Sequence, residues 1–260
     1  MIDLHNHILP GVDDGARDLE ESVEIARQVV SEGVARLAAT PHLDPERNTG
    51  LPASGVRIKV AELQAALDEA GIDLTVVPGN ELYLTPDAPE LVESGVASPL
   101  GGGAALLVEV SLVVEQRPAH LDETLFRLQL AGYQPVLAHP ERYPFVRRDV
   151  ESLGRLVRRG VALQLTAPSL LGEYGPEVRE TAVSVLQRGW DAVAASDRHH
   201  PGPGRSLAEL HGSLAQSTSA ELADLLLRTN PDRLLTGRPI VPPPRPTVNR
   251  AALFARLFRR

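Results

Sequence analysis

MIDLHNHILPGVDDG, residues 1–15, begins with a four-residue strand pattern (IDLH, 2–5) that ends on His5, skips Asn6 and places a second histidine at position 7. Alternate side chains of an extended segment share a side, so His5 and His7 point the same way. Two aspartates and a glycine turn the chain at 13–15, and a helical pattern follows at 18–32, opened by Asp18 and Glu21 as a capping box. That succession reads as the first β-α unit of a larger array. No basic stretch or apolar run precedes the first charges, so no secretion signal is expected and residues 1–4 belong to the fold.

The unit recurs. Strand patterns at 2–5, 34–40, 73–78, 104–111, 134–139, 161–166 and 191–196 are short and rich in Val, Leu and Ala, as strands buried on both faces are. Helical patterns lie near 18–32, 55–70, 119–132, 149–159, 176–189 and 206–228. Gly71, Gly132, Gly160 and Gly189 fall where a left-handed C-cap is expected. Seven strands alternating with helices predict parallel β-α units, in an open doubly wound sheet or a closed barrel. No GxGxxG or phosphate loop follows the first strand, which weakens the nucleotide-binding sheet, and the GGG run at 101–103 precedes a strand and reads as a turn.

The bulk properties narrow the function. The chain has 260 residues and ordinary globular composition, enough for one large domain or two small ones. A net charge of −8 disfavours nucleic acid as a partner. The absence of cysteine removes disulfides, thiolate nucleophiles and Cys-ligated zinc, and is compatible with a cytoplasmic location. No apolar stretch reaches transmembrane length. Residues 236–247 (TGRPIVPPPRPT) are proline-rich and lead into VNRAALFARLFRR, a basic amphipathic tail. The expected division is a catalytic unit at 1–236 and a linker with tail at 237–260.

The strand ends carry the chemistry. In chain order they deliver His5 and His7, His42 (ATPH), Glu81 (PGNELY), Glu109 (LLVEVS), His139 (LAHPERY), and Asp197 with His199 (AASDRHH). Only the 161–166 strand, ending at Thr166, offers no strong ligand. Each motif alone has a bland reading as ordinary surface or core residues. Jointly they gather His, Asp and Glu at the end of the strands where barrel enzymes build active sites. A carboxylate such as Glu109 inside an apolar strand needs a compensating cation or hydrogen bonds. Asp14 adds an oxygen ligand from the loop after the first strand, and Asp13 is expected to support that loop. His120, His200 and His211 have no such placement and read as surface residues. The sulfur-free donor set suits zinc, manganese or iron. Nine ligands are too many for one ion and fit three, and three divalent ions among four carboxylates leave a positive site matched to phosphate, with bound water acidified toward neutral pH.

MIDLHNH, DDG, ATPH, GNELY, VEVS, AHPERY and ASDRH, in this order, resemble the motifs of the polymerase-and-histidinol-phosphatase (PHP) superfamily, and more narrowly its bacterial manganese-dependent protein-tyrosine phosphatase branch, associated with capsule and exopolysaccharide synthesis. The resemblance spans residues 1 to about 236. It implies a distorted seven-stranded (β/α)7 barrel of the PHP type holding three divalent metal ions, manganese foremost, with iron or zinc as alternatives. By motif, His5, His7, Glu81 and Asp197 would hold the first ion. Glu81, Glu109 and His139 would hold the second, and Asp14, His42 and His199 the third. A hydroxide bridging the first two would attack phosphorus. Arg142 resembles the family arginine that contacts phosphate, and Arg205 matches a second, at a spacing from Asp197 one residue longer than the family pattern. Guanidinium suits phosphate oxygens because it donates two parallel hydrogen bonds.

The implied activity is hydrolysis of phosphotyrosine on protein, with a membrane-anchored bacterial tyrosine kinase as the expected partner. A histidinol-phosphate phosphatase is one alternative, but there the resemblance leads to histidine where Asp14 stands. An amidohydrolase of the kind that needs a carboxylated lysine is disfavoured, because the only lysine, Lys59, falls in a helical pattern. A binding module that holds phosphotyrosine without turnover is the third. Tyr83 and Tyr143 are candidates to flank an aromatic substrate. The tail is expected either to dock on the catalytic unit or a second copy in a homo-oligomer, or to contact an anionic membrane surface weakly at its inner face.

Overall fold

The computed structural model describes residues 1–47 and 49–244. The predicted tail at 249–260 and the end of the predicted linker lie outside the described residues. All seven predicted strands form: β1 (Ile2–Asn6), β2 (Arg36–Ala39), β5 (Thr75–Pro78), β7 (Ala105–Glu109), β8 (Gln134–Ala138), β9 (Ala162–Thr166) and β10 (Ala192–Ala195). Three shorter ones were not anticipated: β3 (His42–Asp44), β4 (Thr49–Gly50) and β6 (Glu81–Tyr83). Apart from the antiparallel β3–β4 pair, every pairing of named strands is parallel.

The strands do not close into the expected seven-stranded barrel. They form a three-stranded sheet, β1-β2-β5, and a seven-stranded sheet, β10-β9-β8-β7-β6-β3-β4. The break has a local cause. β2 passes into β3 across Thr40-Pro41, and β5 into β6 across Gly79-Asn80. Pro41 has no N–H to donate to a ladder, although its carbonyl still accepts from Glu81 N at 3.1 Å. Between β10 and β1 there is one isolated parallel bridge, Asn6 with Arg198. Bonds from His7 N to Arg198 O and from Asp197 N to His5 O, each 2.9 Å, reinforce it. Buried Asp3 adds a clamp by accepting from Ser196 N at 2.9 Å and Ser196 Oγ at 2.6 Å.

Both faces of the strands are covered, as their unbroken apolar runs require. Alternate residues sort into two clusters. Leu4, Ala38, Leu107, Val136, Ala138, Ala162 and Val193 form a small inner core. Leu37, Leu106, Val108, Leu137, Leu163 and Ala194 pack outward against the helices. Full burial of a Leu or Val side chain contributes roughly 1.5–3 kcal/mol. The inner alternation continues to Glu109 and Gln164, which places both at the inner mouth. β1 departs from it: four residues, Asp3 to Asn6, oppose three of β2, Leu37 to Ala39. The extra residue is a bulge, which re-aims side chains, and it turns His5 inward.

The helix Leu19–Ser31 starts as predicted, with Asp18 accepting from Glu21 N at 2.9 Å. Glu21 instead reaches Arg17 N, at 2.6 Å. Gly71, Gly132, Gly160 and Gly189 all have positive φ. The long helix predicted over 206–228 breaks after Ser217, because Ser219 caps a new turn by accepting from Leu222 N at 3.2 Å. Residues after 236 stay packed for several positions. Ile240 joins the inner core, and the Asn230 amide clasps Val241 through N and O, each at 2.8 Å.

Candidate metal centre

All nine predicted ligands meet at the C-terminal mouth of the strands. Glu81, 1% exposed, is the hub. Its Oε2 lies 3.0 Å from His5 Nε2, 3.1 Å from His42 Nδ1 and 3.4 Å from His7 Nε2, and its Oε1 lies 2.7 Å from His139 Nε2. Glu109 Oε1 is 3.1 Å from His42 Nδ1, and its Oε2 is 3.8 Å from His139 Nε2. Asp197 Oδ1 approaches His5 and His7 at 3.4 and 3.6 Å. Asp14 Oδ1 reaches His42 and His199 Nε2 at 3.5 and 3.4 Å.

Three groups of ligand atoms converge within 4.8 Å: His5, His7 and Glu81; His42, Glu81 and Glu109; and His7, Asp14, His42 and His199. The donor set fits divalent metal ions. A buried carboxylate contacted by four imidazoles needs positive charge around it. Two of the imidazoles are held from behind, as metal ligands are. His5 Nδ1 contacts Gln164 Oε1 at 2.8 Å, and His7 Nδ1 contacts Asp13 Oδ2 at 2.7 Å. Both Nε2 atoms are thereby turned to the cluster. Asp13 also accepts from Gly15 N and His42 N, each at 3.0 Å, so it supports the loop as expected. Of the remaining histidines, His120 and His211 contact Leu84 O and Asp224, and His200 is exposed.

The charges hold one another. Burial works to lower the His42 pKa, but the hydrogen bond with Glu109 and the charge of Glu81 outweigh it and push it up to about 9. Burial likewise opposes protonation of His5 and His7, yet the carboxylates around them win and both are raised. Burial would raise Glu81 and Asp197, and the imidazoles hold both below the usual carboxylate range. The hydrogen bond with His199 does the same for Asp14. In the metal-free protein, protons thus play the part of the cation. Because the folded-state value of His42 is raised, that proton stabilises fully below its ordinary 6.5 and is lost as pH rises through about 9. A metal ion must displace it. Affinity for a divalent metal ion is therefore expected to rise with pH across this window, and binding at pH 8 to release protons. Calorimetry in two buffers of different protonation enthalpy reads this directly, and identical heats would contradict it.

Sequence reading passed over two contributors. Gln164 sits on the strand that offered no ligand, and its Oε1 also accepts from His139 N at 3.3 Å. Its inward phase on β9 was the available signal. Gln164→Ala is expected to lower metal affinity about 10–100-fold, the usual cost of losing an orienting partner; metal titration by fluorescence quenching or calorimetry checks it. Tyr174 lies under Arg142, 4.7 Å from guanidinium to ring centroid, and no local pattern announced it. Tyr143, by contrast, lies behind the mouth, edge-on to the His139 ring at 5.7 Å, and does not flank it. It is fully buried, accepts from Val110 N at 3.1 Å and donates to Ala138 O at 2.7 Å. An apolar strand neighbour and two backbone partners make it core. Tyr143→Phe should cost about 1–3 kcal/mol by leaving those groups unpaired; an unchanged urea midpoint would refute this. Tyr83 is half-buried.

Arg142 Nη1 donates to Asp197 Oδ2 at 3.0 Å, and Arg205 Nη1 stands 3.9 Å from the same oxygen and 3.3 Å from His199 Nδ1. Both arginines thus border the cluster. Among the described residues, left-handed backbone occurs at three residues other than glycine, His139, Asp197 and Arg205, with φ of 35°, 51° and 58°. Such conformations are strained and gather at functional sites.

The family model described as capsular polysaccharide synthesis, CpsB/CapC, matches residues 1–236. The chain belongs to this family. A tyrosine-protein phosphatase of Bacillus subtilis, YwqE, is 34% identical over 200 residues, covering 77% of this chain and 78% of that protein. The CpsB tyrosine-protein phosphatase of Streptococcus pneumoniae is 27% identical over 244 residues, covering 90% and 98%. A solved structure from work on YwqE of Bacillus subtilis and CpsB of Streptococcus pneumoniae, described as unique metal-dependent tyrosine phosphatases, superposes with a TM-score of 0.87 at 31% identity, over 96% of this chain and all of that one. Among the described residues, no helix of this CpsB/CapC member is long and apolar enough to cross a membrane.

Proposed function

We propose that this chain is a metal-dependent phosphomonoesterase that hydrolyses phosphotyrosine on protein, and that its substrate is a membrane-anchored tyrosine kinase of capsule or exopolysaccharide synthesis. The observation that carries the reading is the Glu81 hub, where four imidazoles and a buried carboxylate stand beside two arginines at one mouth. In this reading three divalent ions, manganese foremost, are held by His5, His7, Glu81 and Asp197, by Glu81, Glu109 and His139, and by Asp14, His42 and His199. When bound, such ions supply Lewis acidity and activate water near neutral pH.

The chain's own residues do the rest. Arg142 and Arg205 reach for phosphate oxygens from one side of Asp197, and the planar forks fix the phosphoryl group's orientation. Tyr174 supports Arg142 from below. Gln164 and Asp13 lock two imidazoles so that little reorganises when substrate enters, which is the condition for electrostatic stabilisation of a transition state. With no cysteine in the chain, no thiolate intermediate is available. The 1–236 unit carries this machinery, with residues 237–241 packed against it.

Phosphate release from a phosphotyrosine peptide, with and without manganese and with histidinol phosphate alongside, tests the reading. Manganese-dependent release from the peptide, abolished by chelator, supports it. Turnover of histidinol phosphate alone would replace it with the small-molecule activity.

A further inference from the structure

Two adjoining concavities lie beyond Tyr174, the residue beneath Arg142, and neither is lined by a candidate ligand. The nearer, about 380 Å³, is lined by Tyr174, Gly175, Pro176, Glu177, Val178 and Arg147. The farther, about 560 Å³, lies between the helices Pro144–Arg148 and Pro176–Gln187 and shares Arg147 and Glu177 with the first. Tyr174 links this depression to the mouth, because the Arg142 guanidinium lies over its ring. Arg147 links them again by donating to the Arg142 carbonyl at 2.6 Å. The helix Pro176–Gln187 returns from the mouth after β9, so Glu177, Glu180, Thr181 and Ser184 recede from it in order along one face.

The dimensions and chemistry limit what fits. From Glu177 to Ser184 the helix rises about 10 Å at ~1.5 Å per residue. Roughly three residues of extended peptide, ~3.3 Å each, cover that length. The lining is polar and mixed in charge. Arg148 pairs with Glu115, while Glu177 and Glu180 have no ion pair among the described residues. Such walls suit a hydrated backbone with polar side chains and do not suit an acyl chain or an apolar helix.

We infer that this groove receives the polypeptide on one side of the phosphotyrosine for about three residues. It, and not the metal centre, then separates a protein substrate from a small phosphomonoester. The inference rests on the phosphotyrosine reading above and adds the surface that reads the polypeptide.

Ser184→Trp would fill the groove from its half-buried wall, and Glu180→Trp does so from an exposed position if the first variant does not fold. Turnover of p-nitrophenyl phosphate and of a phosphotyrosine decapeptide is compared in wild type and variants, together with fluorescence anisotropy of the labelled peptide. Blocking the groove is expected to lower kcat/KM for the decapeptide about tenfold, through KM, and to leave p-nitrophenyl phosphate unchanged. Equal losses on both substrates, or none on either, would overturn the groove. If wild type cleaves p-nitrophenyl phosphate and not the peptide, the phosphotyrosine reading fails on its own. Anisotropy then decides the groove: weaker peptide binding in the blocked variants sustains it, and no peptide binding, or equal binding by wild type and variants, overturns it.

Discussion

Glu81→Gln is expected to lower phosphate release from a phosphotyrosine peptide by about three orders of magnitude or more, with loss of bound metal. The size follows from sharing. Removing an orienting partner of a metal ligand costs about 10–100-fold, whereas Glu81 supplies ligand atoms to two of the three converging groups and contacts four imidazoles. The amide keeps the volume but halves the acceptors and presents N–H groups to rings that must offer lone pairs. It also removes the charge that keeps His5 and His42 protonated in the metal-free state. Metal content by plasma emission and activity should fall together. A variant that keeps its metal and more than a tenth of its activity would dismiss Glu81 as the hub.

Arg142→Ala should produce the opposite pairing: a fall of about 10²–10³ in kcat/KM with metal content unchanged. That is the range for losing one preorganised donor at developing charge. Arg142 touches the cluster through Asp197 Oδ2, the carboxylate oxygen turned away from His5 and His7, so its removal leaves the ligand-facing oxygen in place. Arg142→Lys should recover only part of the loss, because an ammonium is a point charge without the two-pronged fork. Equal activity of the Lys variant and wild type would mean that charge alone matters. A loss of metal in Arg142→Ala would make Arg142 a support of Asp197 instead of a phosphate contact.

The convergence of the nine candidate residues was legible from sequence because parallel β-α units send every strand's C-terminal end to the same mouth, so order along the chain was enough to gather them. His42 and Glu81 were found for a reason that was only partly right. They were expected to end strands two and three, and they instead open β3 and β6, on the far side of Pro41 and Gly79-Asn80. Both still reach the mouth because the two short strands pair His42 with Glu81 in register. Arg205 was legible as a residue and not as a geometry, since its left-handed backbone depends on a loop held from elsewhere. Gln28 clasps Gly202 through its N–H and carbonyl at 3.0 and 2.6 Å, and buried Arg198 donates to the carbonyls of Gly202 and Gly204.

By itself the sequence determined the number and direction of the principal strands, the start of the first helix at Asp18, and which His, Asp and Glu residues gather at one mouth, since each depends on local periodicity or on residue type at a strand end. Only the tertiary structure decided that the sheet opens at Pro41 and Gly79 instead of closing, that a bulge in β1 turns His5 inward, and that Gln164, Tyr174 and Tyr143 take the roles they do. Those outcomes depend on which backbone groups find partners across 25 to 193 residues of chain, as in His139 with Gln164 and Asp3 with Ser196, and no local pattern encodes such a pairing.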